Sequence, residues 1–389
     1  MEASRRFDLA LFGATGFTGG LTARYLAAQL PAGARWAIVG RNRAKLEAVA
    51  AELAAIESAA AAPEILIADA ADPSALAEVA AATRVVATTV GPYALYGGPL
   101  VAACAAAGTD YCDLTGEPEF VDRTWLEHHG TAERSGARLV HCCGFDSIPH
   151  DLGAYFTVKQ LPEGVPLTVN GYVNTHAQFS GGTFHSAVNG FARARETIAA
   201  AKARRRAEPR DPARRIHAAP PRLRRVPEAG GWAAPLPTID GSVIRRSAAA
   251  VPRYGPEFTY GHNLVAHNPA TIPALALGVG AVALLAPLPP TRKLLLKLKD
   301  PGEGPDEATR ERSWFKLTFV GEGGGERVVT EVTGGDPGYT ETSKMLAESA
   351  LCLAFDELPE TAGQLTTVAA MGEMLLARVE KAGITFRKR

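Results

Sequence analysis

"LALFGATGFTGGLTARYLA", residues 9–27, joins a short apolar run to three evenly spaced glycines and the start of a helical pattern. The apolar run ends at Gly13, and Gly16 and Gly19 follow at intervals of three. This spacing is typical of the turn that connects the first strand of a doubly wound α/β sheet to its first helix. There the first glycine permits a sharp bend, the second leaves room for a pyrophosphate, and the third lets the helix pack closely on the sheet.

The stretch therefore predicts a dinucleotide site at the start of this helix. The N–H groups and the dipole of a helix N-terminus stabilise phosphate charge. The side chains of Thr15 and Thr18 add hydroxyl donors. We expect the pyrophosphate to lie against Gly13, Thr15, Gly16, Phe17, Thr18 and Gly19. The alternative is a tight strand–helix turn without a ligand, but the run of β/α units that follows favours the dinucleotide site.

The end of the second strand indicates which dinucleotide is bound. NAD sites usually place an acidic residue there, about 20 residues after the glycines, to bind the ribose 2′-hydroxyl. This sequence reads AIVGRNRAKL at that point, without a carboxylate. Gly40 leaves space, and Arg41 with Asn42 or Arg43 offers a cationic fork suited to a 2′-phosphate. NADP is therefore predicted. The alternative is that these charges are only the solvated start of a helix.

Two later strand ends complete the predicted cofactor site. Asp69 follows the third strand and is placed to contact the adenine edge. Val90, Gly91 and Pro92 end the fourth strand, where the backbone runs beside the nicotinamide ribose in doubly wound folds.

Residues 1–150 predict an α/β domain of the Rossmann type, with a doubly wound parallel sheet. Short apolar runs alternate there with helical patterns such as Gly16–Leu30, Arg43–Glu57 and Pro99–Ala107. The candidate strands are Phe7–Phe12, Trp36–Val39, Glu64–Ala68, Val85–Val90, Asp110–Asp113 and Arg138–Cys142.

Residues 151–389 predict a second, α+β domain for substrate binding or dimerisation. Trp314–Val320 and Arg327–Thr333 alternate apolar and polar residues around GEGGGE, which indicates an antiparallel hairpin. Another strand is predicted at Leu167–Thr175, and a loop at Ala207–Pro237. The helical patterns are Ser180–Arg206, Thr340–Phe355 and Thr366–Ala382. We expect the C-terminal helix to be able to pack back on the first domain.

Composition limits the class of protein. The chain has 389 residues with 41 basic and 41 acidic side chains, so its balance does not indicate a polyanionic partner. The N-terminus begins a strand rather than a secretory signal, and a cytoplasmic protein is predicted. The five cysteines lack metal-ligand spacing, and the adjacent Cys142 and Cys143 fall in a predicted buried strand, which favours core thiols.

One segment, residues 268–290, has no charged residue, and Arg292, Lys293, Lys297 and Lys299 follow it. Prolines at both ends leave a clean helical stretch of only Ala274–Ala286, too short to span a bilayer. The alternatives are a core helix, packing against a second copy, or contact with a membrane surface through a basic flank.

A second unusual segment is strongly basic. From Arg193 to Arg225 the chain carries eleven Arg and one Lys against three acidic residues. Such runs are often mobile, solvated loops. We expect no nucleic-acid partner, because no recognition motif or interleaved aromatic residues accompany the charge. Contact with an acyl carrier, a phosphate-bearing substrate or a membrane stays open.

Several motifs together resemble one family. GATGFTG, VGRN, TVGPYALYGGPLVAACAAAGTDYCDLTGE and GFDSIPHDLG are similar to the saccharopine dehydrogenase-like oxidoreductases, and within them to the trans-acting enoyl reductases of actinobacterial lipid synthesis. SGGT at Ser180–Thr183 and GGDPGYTETSKMLAESALCLA extend the resemblance over nearly the whole chain. It implies an NADP-binding Rossmann domain, an α+β domain, and reduction of a carbon–carbon double bond on a lipid or polyketide chain.

The catalytic candidates lie on loops at the carboxyl ends of the strands, where ligands bind in such sheets. Hydride transfer to a double bond also often needs a proton donor. Tyr93 ranks first as donor or positioning residue, with packing over the sheet edge as the alternative. Asp113 and Glu117 are candidates for orienting the substrate, although Glu117 could only stabilise the next helix. Asp146 is a further candidate, with helix capping as its alternative.

Two other functions are compatible with these residues. A saccharopine-type dehydrogenase of amino acids or imines would need cationic groups for substrate carboxylates, whereas the cleft loops offer mainly Tyr, Asp and Glu. A membrane-associated protein that binds NADP without turnover is the second, because no obvious catalytic pair is present. A homodimer through the second domain is also considered.

Overall fold

The computed structural model describes residues 5–57, 60–177, 181–298 and 304–389. The strands in this part of the chain are β1 Phe7–Phe12, β2 Trp36–Gly40, β3 Glu64–Ile67, β4 Thr83–Thr88, β5 Asp110–Asp113, β6 Arg138–Val140, β7 Leu167–His176, β8 Arg215–Ala218, β9 Arg224–Val226, β10 Gly231–Pro235, β11 Glu257–Ala266, β12 Trp314–Gly323, β13 Glu326–Gly334, β14 Gly363–Leu365 and β15 Thr385–Lys388.

The α-helices of the described residues are α1 Phe17–Gln29, α2 Arg43–Leu53, α3 Pro73–Ala82, α4 Tyr93–Tyr96, α5 Gly98–Ala107, α6 Pro118–Ser135, α7 Ile148–Val158, α8 Gly181–Ala192, α9 Ala194–Ala207, α10 Asp240–Ala250, α11 Thr271–Leu285, α12 Pro289–Leu296, α13 Glu307–Arg312, α14 Thr340–Phe355 and α15 Thr367–Lys381. Ser180, predicted at the start of a helix, lies outside the described residues.

Seven strands form a parallel sheet in the order β3-β2-β1-β4-β5-β6-β14. Both faces are covered, as a continuous apolar strand requires. Leu9 and Leu11 belong to a buried cluster that includes residues of α1, α2 and α14. Ala10 and Phe12 belong to a second cluster with residues of α3, α5 and α6. The predicted doubly wound α/β fold is confirmed.

C-terminal elements return to this sheet. β14 hydrogen-bonds in parallel to β6, and α14 contacts α1, β4 and β5. Most of α14 is buried, and its Ser343 hydroxyl donates to the Thr18 carbonyl oxygen at 3.3 Å. The elements around the parallel sheet therefore come from both sides of residue 150, and the division of the chain at that residue stays a prediction.

The second sheet is mixed, with the order β9-β10-β11-β7-β12-β13-β15 and with β8 also paired to β11. The predicted hairpin is confirmed as β12 and β13, which turn through Gly324 and Gly325 at positive φ. Helix α7 links the two sheets, because it follows β6 directly and packs on β12 and β13. Gly153 of α7 faces the Phe319 ring so closely that a Cβ would overlap it.

Residues 207–237, predicted as a loop, contain the three short strands β8, β9 and β10. Their sequences are short and rich in arginine and proline, so they lack the apolar alternation of a central strand. They form by pairing at the edge of the second sheet, where exposed charged side chains are tolerated.

The basic segment is also more ordered than its composition predicts. Arg193 of the α8–α9 junction donates two hydrogen bonds to Glu119 at 2.7 and 2.6 Å. Arg204 is buried, lies 3.2 Å from Asp122 and stacks over the Trp125 ring. These arginines attach α9 to α6, because acidic side chains on α6 pair with them. Both arginines lie in the stretch Ser180–Arg206 that was predicted to be helical, and α8 and α9 confirm helix within it.

The uncharged segment forms α11, and no residue of α11 is buried. The core-helix alternative is therefore wrong for residues 271–285, whereas contact with a second copy or a membrane surface stays untested. Within the described ranges, no helix combines the length and the apolar character needed to cross a membrane. Lys299, counted in the basic flank, lies outside those ranges.

Candidate functional site

The three glycines of the turn between β1 and α1 differ in how closely the protein packs around them. Gly13 has φ +98°, and a Cβ there would lie 2.7 Å from the Thr89 hydroxyl oxygen. A Cβ at Gly19 would overlap the Gly13 carbonyl oxygen, so helix and turn pack without space for a side chain. Gly16 has ordinary extended angles (φ −85°, ψ 166°), and the protein leaves room for a Cβ there.

Gly16 is thus the glycine that the protein's own packing does not require. It is exposed at the N-terminus of α1, beside the exposed Thr15. Helix α1 has no side-chain cap and no acidic residue in its first turn. Its first N–H groups have no intrahelical acceptor. An open backbone cradle of this kind fits a pyrophosphate, whose charge those N–H groups stabilise.

The end of β4 lies directly against this turn, because β4 is the neighbour of β1. The Thr89 hydroxyl donates to the Gly13 carbonyl oxygen at 3.3 Å, and the Val90 side chain would touch a Cβ at Gly13. Gly91 and Pro92 follow, joined by a cis peptide bond. The structure therefore brings the predicted nicotinamide-side residues to the predicted pyrophosphate turn.

The predicted 2′-phosphate residues lie at the end of β2, on the other side of β1. Arg41 is 82 % exposed, and its Nη1 lies 3.8 Å from Asp69 Oδ2. Asp69 also accepts from the Ala71 N–H at 2.9 Å, and its contact with Arg41 is a solvent-exposed ion pair. The Asn42 side chain accepts from the Lys45 N–H and caps α2, whereas the exposed Arg41 guanidinium is accessible to a ligand.

Phe17 contributes to the site through its backbone rather than its ring. The ring meets the edge of Tyr339 at 4.9 Å between centroids, and Arg310 lies over it at 5.6 Å. These contacts attach the start of α1 to the C-terminal part of the chain. The residue's N–H stays at the helix N-terminus, where the pyrophosphate is predicted.

Tyr93 is buried, and both hydrogen-bonding capacities of its hydroxyl are used. The hydroxyl donates to the Thr88 carbonyl oxygen at 3.1 Å and accepts from the Leu114 N–H at 3.2 Å. Burial, followed by the charge of Asp113, raises the pKa of Tyr93 well above its usual value. Of the two roles predicted for Tyr93, these contacts favour the positioning residue, because the phenol joins the ends of β4 and β5.

Glu117 organises the turn that follows β4. Its carboxylate accepts from the N–H groups of Tyr93 and Ala94 at 3.0 and 2.8 Å, and from the Ser186 hydroxyl at 2.9 Å. It therefore caps α4 and links that turn to α8. It makes no capping hydrogen bond to α6, the helix that it precedes in sequence.

Asp113 is fully buried at the end of β5. Its carboxylate contacts the Tyr111 hydroxyl at 2.9 Å and His141 Nδ1 at 2.7 Å. The N–H groups of Thr115 and Cys142 donate to it as well. Four partners bind the two oxygens, so this carboxylate shapes the β5 and β6 loops.

Asp146 is the predicted candidate whose carboxyl is least engaged. Among the residues that the structure describes, none is recorded as donating a hydrogen bond to it. The carboxyl packs against Gly116, where a Cβ would lie 2.8 Å from Asp146 Oδ2. Burial, together with the negative charge of Asp240, raises the pKa of Asp146 to about 7. A carboxyl of this pKa can give up or accept a proton near neutral pH.

The partner of Asp146, Asp240, comes from the second half of the chain. Its Oδ1 lies 3.3 Å from His150 Nδ1, and its Oδ2 lies 3.5 Å from His262 Nε2. The hydroxyls of Ser147 and Thr238 also donate to it. Burial raises the pKa of Asp240, but the two histidines and its hydrogen bonds outweigh burial and lower it overall.

The two histidines stay neutral near pH 7. Burial lowers the pKa of His150, and it lowers the pKa of His262 to about 4. Ser147, beside them, has φ +137°, a strained angle of the kind that concentrates at functional sites. Asp240 and His262 were missed by sequence reasoning, because nothing in their local sequence marks them and only the packing of α10 on α7 and on β11 brings them to this site.

Proteins of similar sequence support the prediction of an NADP-binding domain. Residues 9–140 match the family described as the saccharopine dehydrogenase NADP binding domain. A trans-acting enoyl reductase of Mycobacterium tuberculosis is 37% identical over 423 residues, with 98% of this chain and 97% of the relative covered. One of Mycobacterium ulcerans is 34% identical over 417 residues, with 98% of each covered.

A solved structure supports the fold. Apo saccharopine dehydrogenase (L-Glu forming) of Saccharomyces cerevisiae superposes with a TM-score of 0.56, covering 98% of this chain and 99% of the yeast chain. The two sequences are 13% identical, so the likeness is one of architecture. The NADP-binding domain predicted from the glycine turn is confirmed.

Proposed function

This chain belongs to the trans-acting enoyl reductase family and is an NADP-dependent oxidoreductase, and we propose that it reduces the carbon–carbon double bond of an α,β-unsaturated acyl thioester in lipid or polyketide synthesis. The observation that carries the reaction type is Asp146, a carboxyl with a pKa of about 7 at the same sheet edge as the glycine cradle. Reduction of a polarised double bond needs one hydride and one proton.

NADPH, held by the glycine turn at Gly13, Gly16 and Gly19 and by Arg41, would supply the hydride for the carbon β to the thioester carbonyl. The protein's own residues hold the two reacting groups at one edge of the sheet. A chain of contacts runs from Gly13 through Thr89 and Thr88 to Tyr93, then through Leu114 to the Gly116–Asp146 contact. This rigid edge can hold a substrate double bond between the nicotinamide side of the cradle and Asp146.

Asp146 is proposed to carry the proton. Near pH 7 a large fraction of its carboxyl groups is protonated, because burial and Asp240 disfavour the carboxylate. Transfer of that proton to the carbon α to the carbonyl completes the addition of two hydrogens, and solvent then reprotonates Asp146, a half-buried residue. Asp240 accepts hydrogen bonds from the Ser147 and Thr238 hydroxyls, and its negative charge keeps the Asp146 proton available.

Stopped-flow fluorescence of NADPH tests the proposal against both alternatives. Enoyl thioesters on pantetheine, coenzyme A and an acyl carrier should oxidise NADPH, whereas imino acids should not. Oxidation with imino acids alone would establish the saccharopine-type reaction instead. Calorimetric binding of NADPH without oxidation by any substrate of the panel would favour a binding protein without turnover.

A further inference from the structure

Helices α11 and α12, which we call the apolar helix pair, carry several strongly exposed leucine side chains. Leu277 and Leu284 of α11 are 76% and 77% exposed, and Leu294 of α12 is 66% exposed. Every residue from Ala274 to Val279 is exposed, which is more than one full helical turn. A helix that is apolar all round is normally buried, so this one requires an apolar surrounding.

The charged side chains on and next to the apolar helix pair are all basic. No acidic residue occurs between Glu257 and Asp300. Arg292, Lys293 and Lys297 lie on α12 and at its end, next to the exposed leucines. An apolar surface with basic side chains at its border is complementary to the interface of a bilayer that contains anionic lipids.

We propose that the apolar helix pair docks this protein on an anionic lipid bilayer, with α11 inserted among the acyl chains near the headgroups. At 1.5 Å per residue, the helix is about 22 Å long, shorter than the bilayer's apolar core of about 30 Å. It therefore lies in the interface and does not span it. Arg292, Lys293 and Lys297 bind the headgroup phosphates.

A bilayer explains the exposure better than a second copy of the chain does. A rigid protein partner covers one face of a helix, whereas acyl chains surround it, and α11 is exposed on every side from Ala274 to Val279. A two-fold dimer through this pair would also bring like charges of the two α12 helices together. Anionic headgroups neutralise the same charges.

The apolar helix pair is linked through α8 to the turn that follows β4. Helices α11 and α12 both contact α8, and Ser186 of α8 donates to Glu117 at 2.9 Å. Docking would bring α8, and with it the turn that Glu117 organises, close to the membrane surface, where a long acyl substrate is dissolved. This last step rests on the proposed function, whereas the docking itself does not.

Co-sedimentation of the full-length protein with vesicles tests the docking without turnover. The protein should pellet with phosphatidylcholine vesicles that contain phosphatidylglycerol, and much less with phosphatidylcholine alone. High salt should weaken binding to the anionic vesicles. Replacing Arg292, Lys293 and Lys297 by Gln should lower the partition coefficient roughly fivefold per charge. Leu277→Asp combined with Leu284→Asp should lower it more than tenfold on both kinds of vesicle.

Leu126→Asp is the matched control, because Leu126 is exposed on α6, away from the apolar helix pair. It should leave vesicle binding unchanged, and circular dichroism should show all variants folded. No sedimentation with either vesicle, or equal binding by the Leu277/Leu284 variant, would overturn the proposal. A dimer in light scattering that the same variant dissociates, without vesicle binding, would assign the surface to a second copy and also overturn it.

Discussion

The charge of Asp240, together with burial, raises the pKa of Asp146 to about 7, although the two residues come from different parts of the chain. Asp146 follows β6 of the parallel sheet, whereas Asp240 begins α10 of the second half. The pair therefore forms only when α10 packs on α7. A carboxyl tuned to neutral pH in this way is the proton donor that we propose, and neither half of the chain supplies this pKa alone.

Asp146→Asn should slow NADPH-dependent reduction by about 10²–10⁴-fold, the usual contribution of a general acid. In the unmodified protein the active form is protonated, so the rate should fall as pH rises through about 7. The variant should lack this fall. A pH–rate profile with saturating NADPH measures both effects. Unchanged activity would remove Asp146 from the reaction, and unchanged NADPH affinity in the variant would show that the cofactor cradle is intact.

Asp240→Asn should shift the pH profile rather than abolish it. Removing the negative charge of Asp240 makes the Asp146 carboxylate easier to form, so the pKa of Asp146 should fall. The descending limb of the rate profile should therefore move to lower pH. Asp306→Asn, at an exposed helix cap, is the control that should leave the limb in place. A shift to higher pH would contradict the assigned coupling.

Arg41→Ala should weaken NADPH binding by roughly tenfold or more, because it removes a charge-assisted contact to the 2′-phosphate. NADH lacks that phosphate, so its affinity should stay the same. Calorimetric titration with both nucleotides gives the ratio directly. Equal losses for the two would mean that Arg41 acts through the fold of the sheet edge and not on the 2′-phosphate.

Gly16→Ala and Gly19→Ala should separate ligand binding from folding. The protein has room for a methyl group at Gly16, so thermal unfolding should change little while NADPH affinity falls. At Gly19 the methyl group would overlap the Gly13 carbonyl oxygen. That variant should lose about 1–3 kcal/mol of unfolding free energy. Retained NADPH affinity in Gly16→Ala would contradict the open cradle.

Local sequence was sufficient for the elements whose own residues carry the signal. The apolar run before Gly13 and the alternation in Trp314–Val320 predicted a parallel strand and a hairpin, and both are present. Local sequence failed at residues 207–237, because short arginine-rich edge strands have no apolar alternation. Local sequence also could not decide the role of Tyr93, because only its contacts with Thr88 and Leu114 show that its hydroxyl is already hydrogen-bonded.

The sequence by itself determined the cofactor class, because the glycine spacing lies within a single turn of chain whose conformation neighbouring residues impose. Tertiary structure alone decided which carboxyl can hold a proton near neutral pH. That property depends on burial and on a charge from a distant segment, because Asp240 reaches Asp146 only after α10 has packed on α7. Tertiary structure also decided the exposure of α11. The sequence pattern of an apolar helix is the same whether or not the rest of the chain covers it.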